Sequence, residues 1–318
     1  MSLPESAPEA IAPVVDPAPA NLAAEETRKG VIAALVAYLL WGFLPLLFRQ
    51  LEAAGSVLIV AERTVWSLVL LAVVLWFTGG FGDVRKLFAD RKRALGTLLS
   101  AVLLAANWLL YVWAVETGQV LEASFGYFIN PLVNVLMGMV LLGERQNFLQ
   151  TVSILIATVG IAIQAVGLGS VPFIALGLAL TFGFYGYFRK TAQLGPASGL
   201  FAETAMIAPI AMGYVIYRLV TTGPGVHADP YLFAMLMLTG PATAIPLLLF
   251  AYGVRRLRLT TIGMFQYIAP SIQFLMAIFL FGEHLNGLRL LSFALIWISL
   301  MVFSYDSFRR RNRVAAAA

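Results

Sequence analysis

Apolar residues dominate the chain from Arg28 onward, in continuous runs of roughly 20 residues separated by short polar segments. A run of that length is what an α-helix needs to cross a hydrocarbon layer about 30 Å thick. The runs do not alternate in the way that ten-residue strands of a membrane barrel would, so they predict helices. The expected spans are 30–49, 56–78, 95–115, 120–142, 149–168, 171–188, 198–218, 231–253, 259–281 and 288–306.

The sequence pattern of the fourth span is repeated in the ninth span. Residues 124–144, SFGYFINPLVNVLMGMVLLGE, align with residues 263–283, GMFQYIAPSIQFLMAIFLFGE. At a shift of 139 residues Pro131 meets Pro270 and Asn134 meets Gln273, and at 141 Glu62 meets Glu203. The repeated unit holds five spans, an odd number, so its second copy must enter the membrane from the opposite side. We therefore expect an all-α membrane protein of ten transmembrane helices, arranged as two inverted five-helix repeats.

The predicted spans and their repeat divide the chain into four segments. Residues 1–27 form a Pro/Ala-rich tail without helical or strand periodicity, which predicts disorder. The tail lacks the basic and apolar regions of a signal peptide. The first repeat covers 28–168, the second covers 169–306, and residues 307–318 are a basic cytoplasmic tail.

Composition and charge agree with a membrane protein. The chain is 60% hydrophobic and 12% charged, whereas soluble domains carry about 25% charged residues. If the N-terminus lies inside, 17 of the 21 basic residues fall on the inner side and three on the outer side. This bias predicts that both termini are cytoplasmic.

Several chemistries are excluded or disfavoured by what the sequence lacks. It has no cysteine and two histidines, so we expect neither a thiolate site nor a multi-histidine metal centre. No phosphate-binding loop and no hydrolase signature is present, so we expect no cofactor, no ATP-driven transport and no enzyme activity. The segment RRRNR, 309–313, is interpreted as a topology anchor rather than a nucleic-acid site.

Polar residues on the repeated spans mark the candidate site. Tyr127, Asn130 and Asn134 share one helical face, and Gln266 and Gln273 share the equivalent face of the other copy. The expected substrate-binding residues are Asn130, Asn134, Gln266, Gln273, Tyr127, Asn107, Tyr111 and Trp41. For the amides the alternative is hydrogen bonding between helices, worth about 1 kcal/mol each, and for Trp41 it is core packing.

Two prolines and three charged residues complete the candidate set. Pro131 and Pro270 are expected to break their helices and to free backbone carbonyls toward a cavity. Glu62, Arg63 and Glu203 lie within spans, and a gating or coupling role competes with a structural one. Glu62 and Arg63 are adjacent, so they should not face each other. Glu144, at a span end, is expected to be solvated.

Strings along most of the chain resemble the RarD group of EamA-type proteins in the drug/metabolite transporter superfamily. They include RKGVIAALVAYLLWGFLPLLF, NWLLYVWAV, LEASFGYFINPLVNVLMG and RLRLTTIGMFQYIAPSIQFLMA. The resemblance implies a ten-span carrier with two inverted halves in a bacterial inner membrane. Arg63 looks like the arginine that many EamA-type proteins carry in their second span. The resemblance supplies no established substrate.

We therefore expect a secondary active transporter, an exporter of small organic metabolites or drugs that works by alternating access. The alternative is an intramembrane enzyme acting on a lipid, for which only Glu62 with Arg63 offers a catalytic pair. A channel is disfavoured because polar residues do not form a continuous line through the spans. Expected partners are the solute and membrane lipids, and no nucleic acid; proton coupling and a homodimer stay open.

Overall fold

A computed structural model describes residues 18–116, 120–166, 173–280 and 287–317. Within these residues the chain is helical and contains no strand. Its α-helices are α1 (Ala18–Gln50), α2 (Ser56–Thr78), α3 (Phe81–Ala89), α4 (Arg91–Glu116), α5 (Val120–Leu142), α6 (Phe148–Val166), α7 (Phe173–Thr191), α8 (Pro196–Thr222), α9 (Pro230–Val254), α10 (Leu259–Gln266), α11 (Ile268–Phe279) and α12 (Gly287–Ala317). Two 3₁₀ helices, Glu52–Ala54 and Gly225–Ala228, precede α2 and α9.

Within the described residues the expected spans lie on helices, except that the ninth is interrupted at Tyr267 and ends at Phe279. The expected boundary between the two halves, at 168–169, lies outside them. α1 already begins at Ala18, inside the segment expected to be a disordered tail, and α12 continues to Ala317. The amphipathic helix α3, which buries Val84 and Leu87, was not expected from the sequence.

Length and hydropathy mark many of these helices as membrane spans. Within the described residues, six helices are long and apolar enough to cross a membrane: Ala24–Gln50, Ser56–Thr78, Arg91–Tyr111, Pro196–Thr222, Pro230–Val254 and Leu290–Arg309. Two shorter apolar helices, Gly126–Leu142 and Phe148–Ile163, lie in further expected spans. The ten-span inverted arrangement stays a prediction.

The surface of the molecule is unusually apolar. Large side chains such as Trp76, Phe77 and Val220 are 77%, 82% and 79% exposed. Soluble monomers rarely expose apolar patches larger than a few hundred Å², so such a surface is suited to lipid. Together with the long apolar helices, it confirms the expectation of an all-helical, multi-pass membrane protein.

The ninth expected span is interrupted, and its proline explains where. α10 ends at Gln266 and α11 begins at Ile268. Pro270 has no N–H to donate to the carbonyl of Gln266, four residues earlier, so the helical ladder loses a bond at this point. Pro131 was expected to have the same effect, but α5 runs through it without a break.

Aromatic rings form the centre of the bundle. Tyr185 and Phe250 stack with their centroids 6.2 Å apart, and Tyr38 and Trp41 pack against Phe250 from α1. Trp41 also contacts Phe182 edge to face at 6.0 Å. These rings join α1, α7 and α9, and they place Trp41 in a packed aromatic cluster.

The bundle has two ends, which we name by their residues. The basic end is where α5, α7 and α9 end; there the Lys190 ammonium donates to the Val254 carbonyl at 3.2 Å. The far end is where α1 and α8 end and α2 and α9 begin. Leu51, Leu58 and Leu236 form a buried cluster at the far end.

Candidate functional site

Near the far end, five helices bring aromatic and polar side chains around one arginine. We define the Arg63 cluster as Phe48 of α1, Arg63 of α2, Trp108 and Tyr111 of α4, Tyr127 of α5 and Thr243 of α9. The helical periodicity places Trp108 and Tyr111, three residues apart, on the same face of α4. The far-end halves of these helices therefore converge on Arg63.

The Arg63 guanidinium is held in one orientation. Its Nε donates to the Thr243 hydroxyl at 3.1 Å, and that hydroxyl donates onward to the Thr239 carbonyl at 2.7 Å. The guanidinium carbon lies 4.5 Å from the Trp108 ring centroid and 6.0 Å from that of Phe48. Cation–π contact of this kind is worth about 0.5–2 kcal/mol, depending on desolvation. The side chain is fixed by one hydrogen bond and two rings.

Two tyrosines complete the cluster. The rings of Tyr111 and Tyr127 lie 6.0 Å apart, and both side chains are within electrostatic range of Arg63. Tyr127 is 42% exposed and Tyr111 is half-buried. Neither hydroxyl has a hydrogen-bond partner in the described part of the chain. Both are therefore free to donate to a bound molecule.

Glu62 turns away from Arg63, as adjacent positions on a helix predict. Its carboxylate accepts from the Trp66 indole at 2.9 Å and contacts Nε2 of His227 at 2.7 Å. His227 lies in the 3₁₀ helix before α9, and its ring packs on Phe233. The pair ties the turn between α8 and α9 to α2. The described contacts of Glu62 are thus with Trp66 and His227.

Glu203 is buried near the basic end in a second ionic contact. Its carboxylate accepts from the Ser100 hydroxyl at 2.6 Å and from both Tyr185 and Arg189 at 3.4 Å. The side chains of Arg189 and Glu203 are 2% and 1% exposed. Arg189 was interpreted from the sequence only as a topology signal. A carboxylate placed inside a span needs a cation, and that requirement was the available clue to its role.

Three of the five expected substrate amides, Asn134, Gln266 and Asn107, bond to one another or to other groups of the protein. The Asn134 amide donates to the Gln266 side-chain oxygen at 2.7 Å, which joins α5 to α10. Asn107 donates to the Leu178 carbonyl and the Thr181 hydroxyl, each at 2.9 Å, and joins α4 to α7. These contacts correspond to the interhelical alternative left open by the sequence.

The two remaining amides, Gln273 and Asn130, and the side-chain oxygen of Asn134 have fewer partners. Gln273 is half-buried and donates to the Trp41 carbonyl at 3.3 Å. The side-chain oxygens of Asn130 and Asn134 are buried and have no hydrogen-bond partner in the described part of the chain. A buried oxygen of this kind usually accepts from water, a ligand or another side chain. The structure therefore leaves two acceptors on one face of α5.

The basic end is closed by contacts that the sequence did not reveal. The Glu144 carboxylate accepts from the backbone nitrogens of Leu259 and Thr260, at 2.7 and 3.0 Å. It thereby caps α10, and its side chain is 8% exposed, so the expectation of a solvated charge is wrong. Arg255 donates to the Leu194 carbonyl, and Arg258 to the Arg145 carbonyl at 2.6 Å.

Cationic side chains at the basic end bind backbone carbonyls. Lys190 donates to the carbonyl of Val254, the last residue of α9, where helix-end carbonyls carry partial negative charge and lack intrahelical partners. Arg255 and Arg258 donate to carbonyls of the loops that follow α7 and α5. Burial, together with the neighbouring charges of Arg189 and Arg256, lowers the pKa of the Arg255 guanidinium. The contacts link the segments after α5, α7 and α9, and they close this end of the bundle.

Known proteins resemble this chain along nearly its whole length. The EamA-like transporter family matches residues 28–165. An uncharacterized transporter of Pseudomonas aeruginosa is 41% identical over 92% of this chain and 99% of its own. Protein RarD of Salmonella typhi is 40% identical over 89% of this chain and 97% of its own.

A solved crystal structure is also similar, with 18% sequence identity and a TM-score of 0.66, over 86% of this chain and 96% of its own. At that identity the similarity shows a shared fold alone. The two sequence relatives carry the family assignment, because each is at least 40% identical and nearly fully covered. The chain is a membrane transporter of the drug/metabolite superfamily and belongs to the RarD group of the EamA-like transporter family.

Proposed function

We propose that the chain is a secondary active exporter of small organic metabolites or drugs that works by alternating access in a bacterial inner membrane. Ten spans form two inverted repeats, 28–168 and 169–306, and both termini are cytoplasmic. The basic end of the bundle then faces the cytoplasm, and the far end, with the Arg63 cluster, faces outward.

The observation that carries the inverted repeat is a pair of matched hydrogen bonds between α6 and α12. Ser153 donates to the Ser299 carbonyl at 2.7 Å, and Ser292 donates to the Gly160 carbonyl at 2.8 Å. At the shift of 139 residues that aligns the two copies, Ser153 corresponds to Ser292 and Gly160 to Ser299. Each bond is thus the symmetry mate of the other. A two-fold axis between α6 and α12 accounts for both.

Contact between repeat-equivalent elements adds further support. α6 packs along α12, α2 packs along α8, and α5 packs along α10. Trp41 touches Phe182, its equivalent at a shift of 141. Helices that pack against their own repeat equivalents are expected next to a two-fold axis. Two similar halves meeting in this way can exchange conformations and open a central site to either side.

Alternating access needs one gate at each end of the bundle, and Glu62 and Glu203 are placed to act at these two gates. They are repeat equivalents, yet one lies near each end of the bundle, and each contacts a basic side chain, His227 or Arg189. In this conformation the basic end is closed, while the Arg63 cluster near the far end is partly exposed. We interpret the arrangement as an outward-facing state.

The solute path in this proposal runs between α5 and α10. Asn130 and Asn134 offer their free side-chain oxygens, while Gln266, Gln273 and Asn107 hold the helices that flank the path. The break in the helix after Gln266 supplies a hinge. The polar groups are few, as is typical of a site for organic solutes with substantial apolar surface.

A transport assay in proteoliposomes tests the function. Purified protein is reconstituted, exposed to a bacterial metabolite extract with and without a pH gradient, and the trapped solutes are identified by mass spectrometry. We expect specific solutes to accumulate only with protein present. Asn134→Leu/Gln273→Leu should lower their flux several-fold, whereas Thr158→Leu, on the exposed face of α6, should not. Equal amounts of the same trapped solutes in protein-free vesicles would contradict the proposal.

A further inference from the structure

We propose that Arg63 binds the anionic group of the solute, and that the solute is a carboxylate with an apolar body. The inference rests on the proposed transport function and refines it, since Arg63 was expected from the sequence to serve gating or coupling. It assigns Arg63, Trp108, Tyr111 and Tyr127 to the binding site.

Arg63 retains hydrogen-bond donors that no group of the described residues uses. Nε is used by Thr243, whereas the two terminal nitrogens have no hydrogen-bond partner in the described part of the chain. Because the Thr243 hydroxyl is itself anchored to the Thr239 carbonyl, it fixes the plane of the guanidinium. A planar fork with free terminal N–H groups matches the two oxygens of a carboxylate.

Among the described residues, no carboxylate side chain pairs with the positive charge of Arg63. The adjacent carboxylate, Glu62, is taken by Trp66 and His227, and the other buried carboxylate, Glu203, pairs with Arg189. An unpaired arginine within a membrane helix is energetically unfavourable. Contact with the rings of Trp108 and Phe48 offsets part of that cost. A bound anion would offset the rest.

Two tyrosine rings form a wall of the site beside Arg63. The exposed ring surfaces of Tyr111 and Tyr127 lie beside the cation, and their hydroxyls lack partners in the described part of the chain. The rings can cover an apolar body while the hydroxyls donate to carboxylate oxygens. Within the described cluster Arg63 is the one cation, so a monoanion is matched in charge and a phosphate dianion is not.

Calorimetric titration of the full-length protein in nanodiscs tests this inference, with phenylacetate as the probe. Its neutral isostere phenylacetamide and inorganic phosphate are the comparison ligands. We expect saturable phenylacetate binding that is at least tenfold tighter than binding of either comparison ligand. Arg63→Gln should weaken it at least tenfold, and Arg63→Lys should recover part of the affinity because a charge is restored.

Arg218→Gln is the matched control, since Arg218 is a half-buried cation at the same end but lies among Leu58, Pro224 and His227. It should leave phenylacetate affinity unchanged. No saturable binding to the wild type, equal affinity for phenylacetamide, or equal binding by a folded Arg63→Gln protein would overturn the inference. If one of these binding results were obtained while the protein still transported solutes in proteoliposomes, the anion site would be ruled out and the transport proposal would stand. Arg63-dependent binding without any flux would instead overturn transport and keep the anion site.

Discussion

At the scale of single residues, the charged side chains inside the bundle differ in what surrounds them. Glu203 and Arg189 pair with each other out of contact with the exterior, whereas Arg63 has no carboxylate partner in the described residues and lies in a partly exposed cluster. Burying an ion pair costs desolvation energy, and the mutual attraction roughly repays it. Removing one partner leaves the other charge uncompensated, which is far more costly. The two arginines should therefore respond differently to substitution.

The buried pair gives the first prediction. Arg189→Met or Glu203→Leu alone should lower the free energy of unfolding by about 3–5 kcal/mol, because each strands a buried charge. The double variant should lose much less than the sum, since no charge is left unpaired. Unfolding in mixed micelles measures all three. Glu26→Gln, in a surface pair with Lys29 and Arg256, should cost less than about 1 kcal/mol; additive losses in the double variant would contradict the argument.

At the scale of elements, the two repeat-equivalent prolines have different consequences. Pro131 sits in a continuous α5, while Pro270 follows the break between α10 and α11. α5 is packed along α7 and α10, and this packing keeps it helical despite the missing bond. The positions of the prolines therefore predicted where a backbone hydrogen bond of the helix is missing. Packing against neighbouring helices determined whether the helix was interrupted there.

Pro270→Ala should restore the hydrogen bond to the Gln266 carbonyl and join α10 to α11. We expect solute flux in proteoliposomes to fall several-fold, with unchanged or higher thermal stability. Pro131→Ala is the matched control, and its flux should stay close to wild type because α5 is already continuous. Equal effects of both substitutions would show that the break is not a hinge.

The close approach of α2 and α9 depends on one glycine. A Cβ at Gly240 would lie 2.4 Å from Cβ of Trp66 and 2.5 Å from its backbone carbonyl carbon. The Ser67 hydroxyl also donates to the Gly240 carbonyl at 3.1 Å. Backbone this close cannot move locally, so an added methyl group must push the helices apart.

Gly240→Ala should therefore destabilise the protein by about 1–3 kcal/mol and lower its thermal midpoint in detergent. Gly213→Ala is the control, because Gly213 lies within α8 and a Cβ there meets nothing within 4 Å. Its midpoint should be unchanged or higher, since alanine favours a helix by about 1 kcal/mol over glycine. If the thermal midpoint of Gly240→Ala equalled that of the wild type, the close crossing of α2 and α9 at Gly240 would be ruled out.

At the scale of the whole molecule, the inverted repeat predicts which connections share a side of the membrane. The chain has no native cysteine, so single cysteines can be labelled without background. In intact cells a membrane-impermeant maleimide should label Thr222→Cys but not Arg85→Cys, which should react only after permeabilisation. Both residues are exposed in the structure, so accessibility differs only by side. Labelling of both from outside would end the proposed topology.

The sequence by itself determined the class of molecule and its family. Hydrophobic length predicted helices and a lipid-facing surface, because each span must satisfy its own backbone hydrogen bonds in the membrane. The shift of 139 residues predicted which positions of the two proposed repeats are equivalent, Ser153 and Ser292 among them. These properties repeat along the chain, so they can be read from periodicity and spacing alone.

Only the tertiary structure decided which polar group meets which. Helical periodicity placed Asn134 on a face but did not identify Gln266 as its partner, and it gave no sign that Arg189 would reach Glu203 while Arg63 kept two nitrogens free. Partner choice depends on how each helix is rotated and shifted against its neighbours. Many weak packing contacts from all the helices set that rotation together, so no local stretch of sequence specifies it.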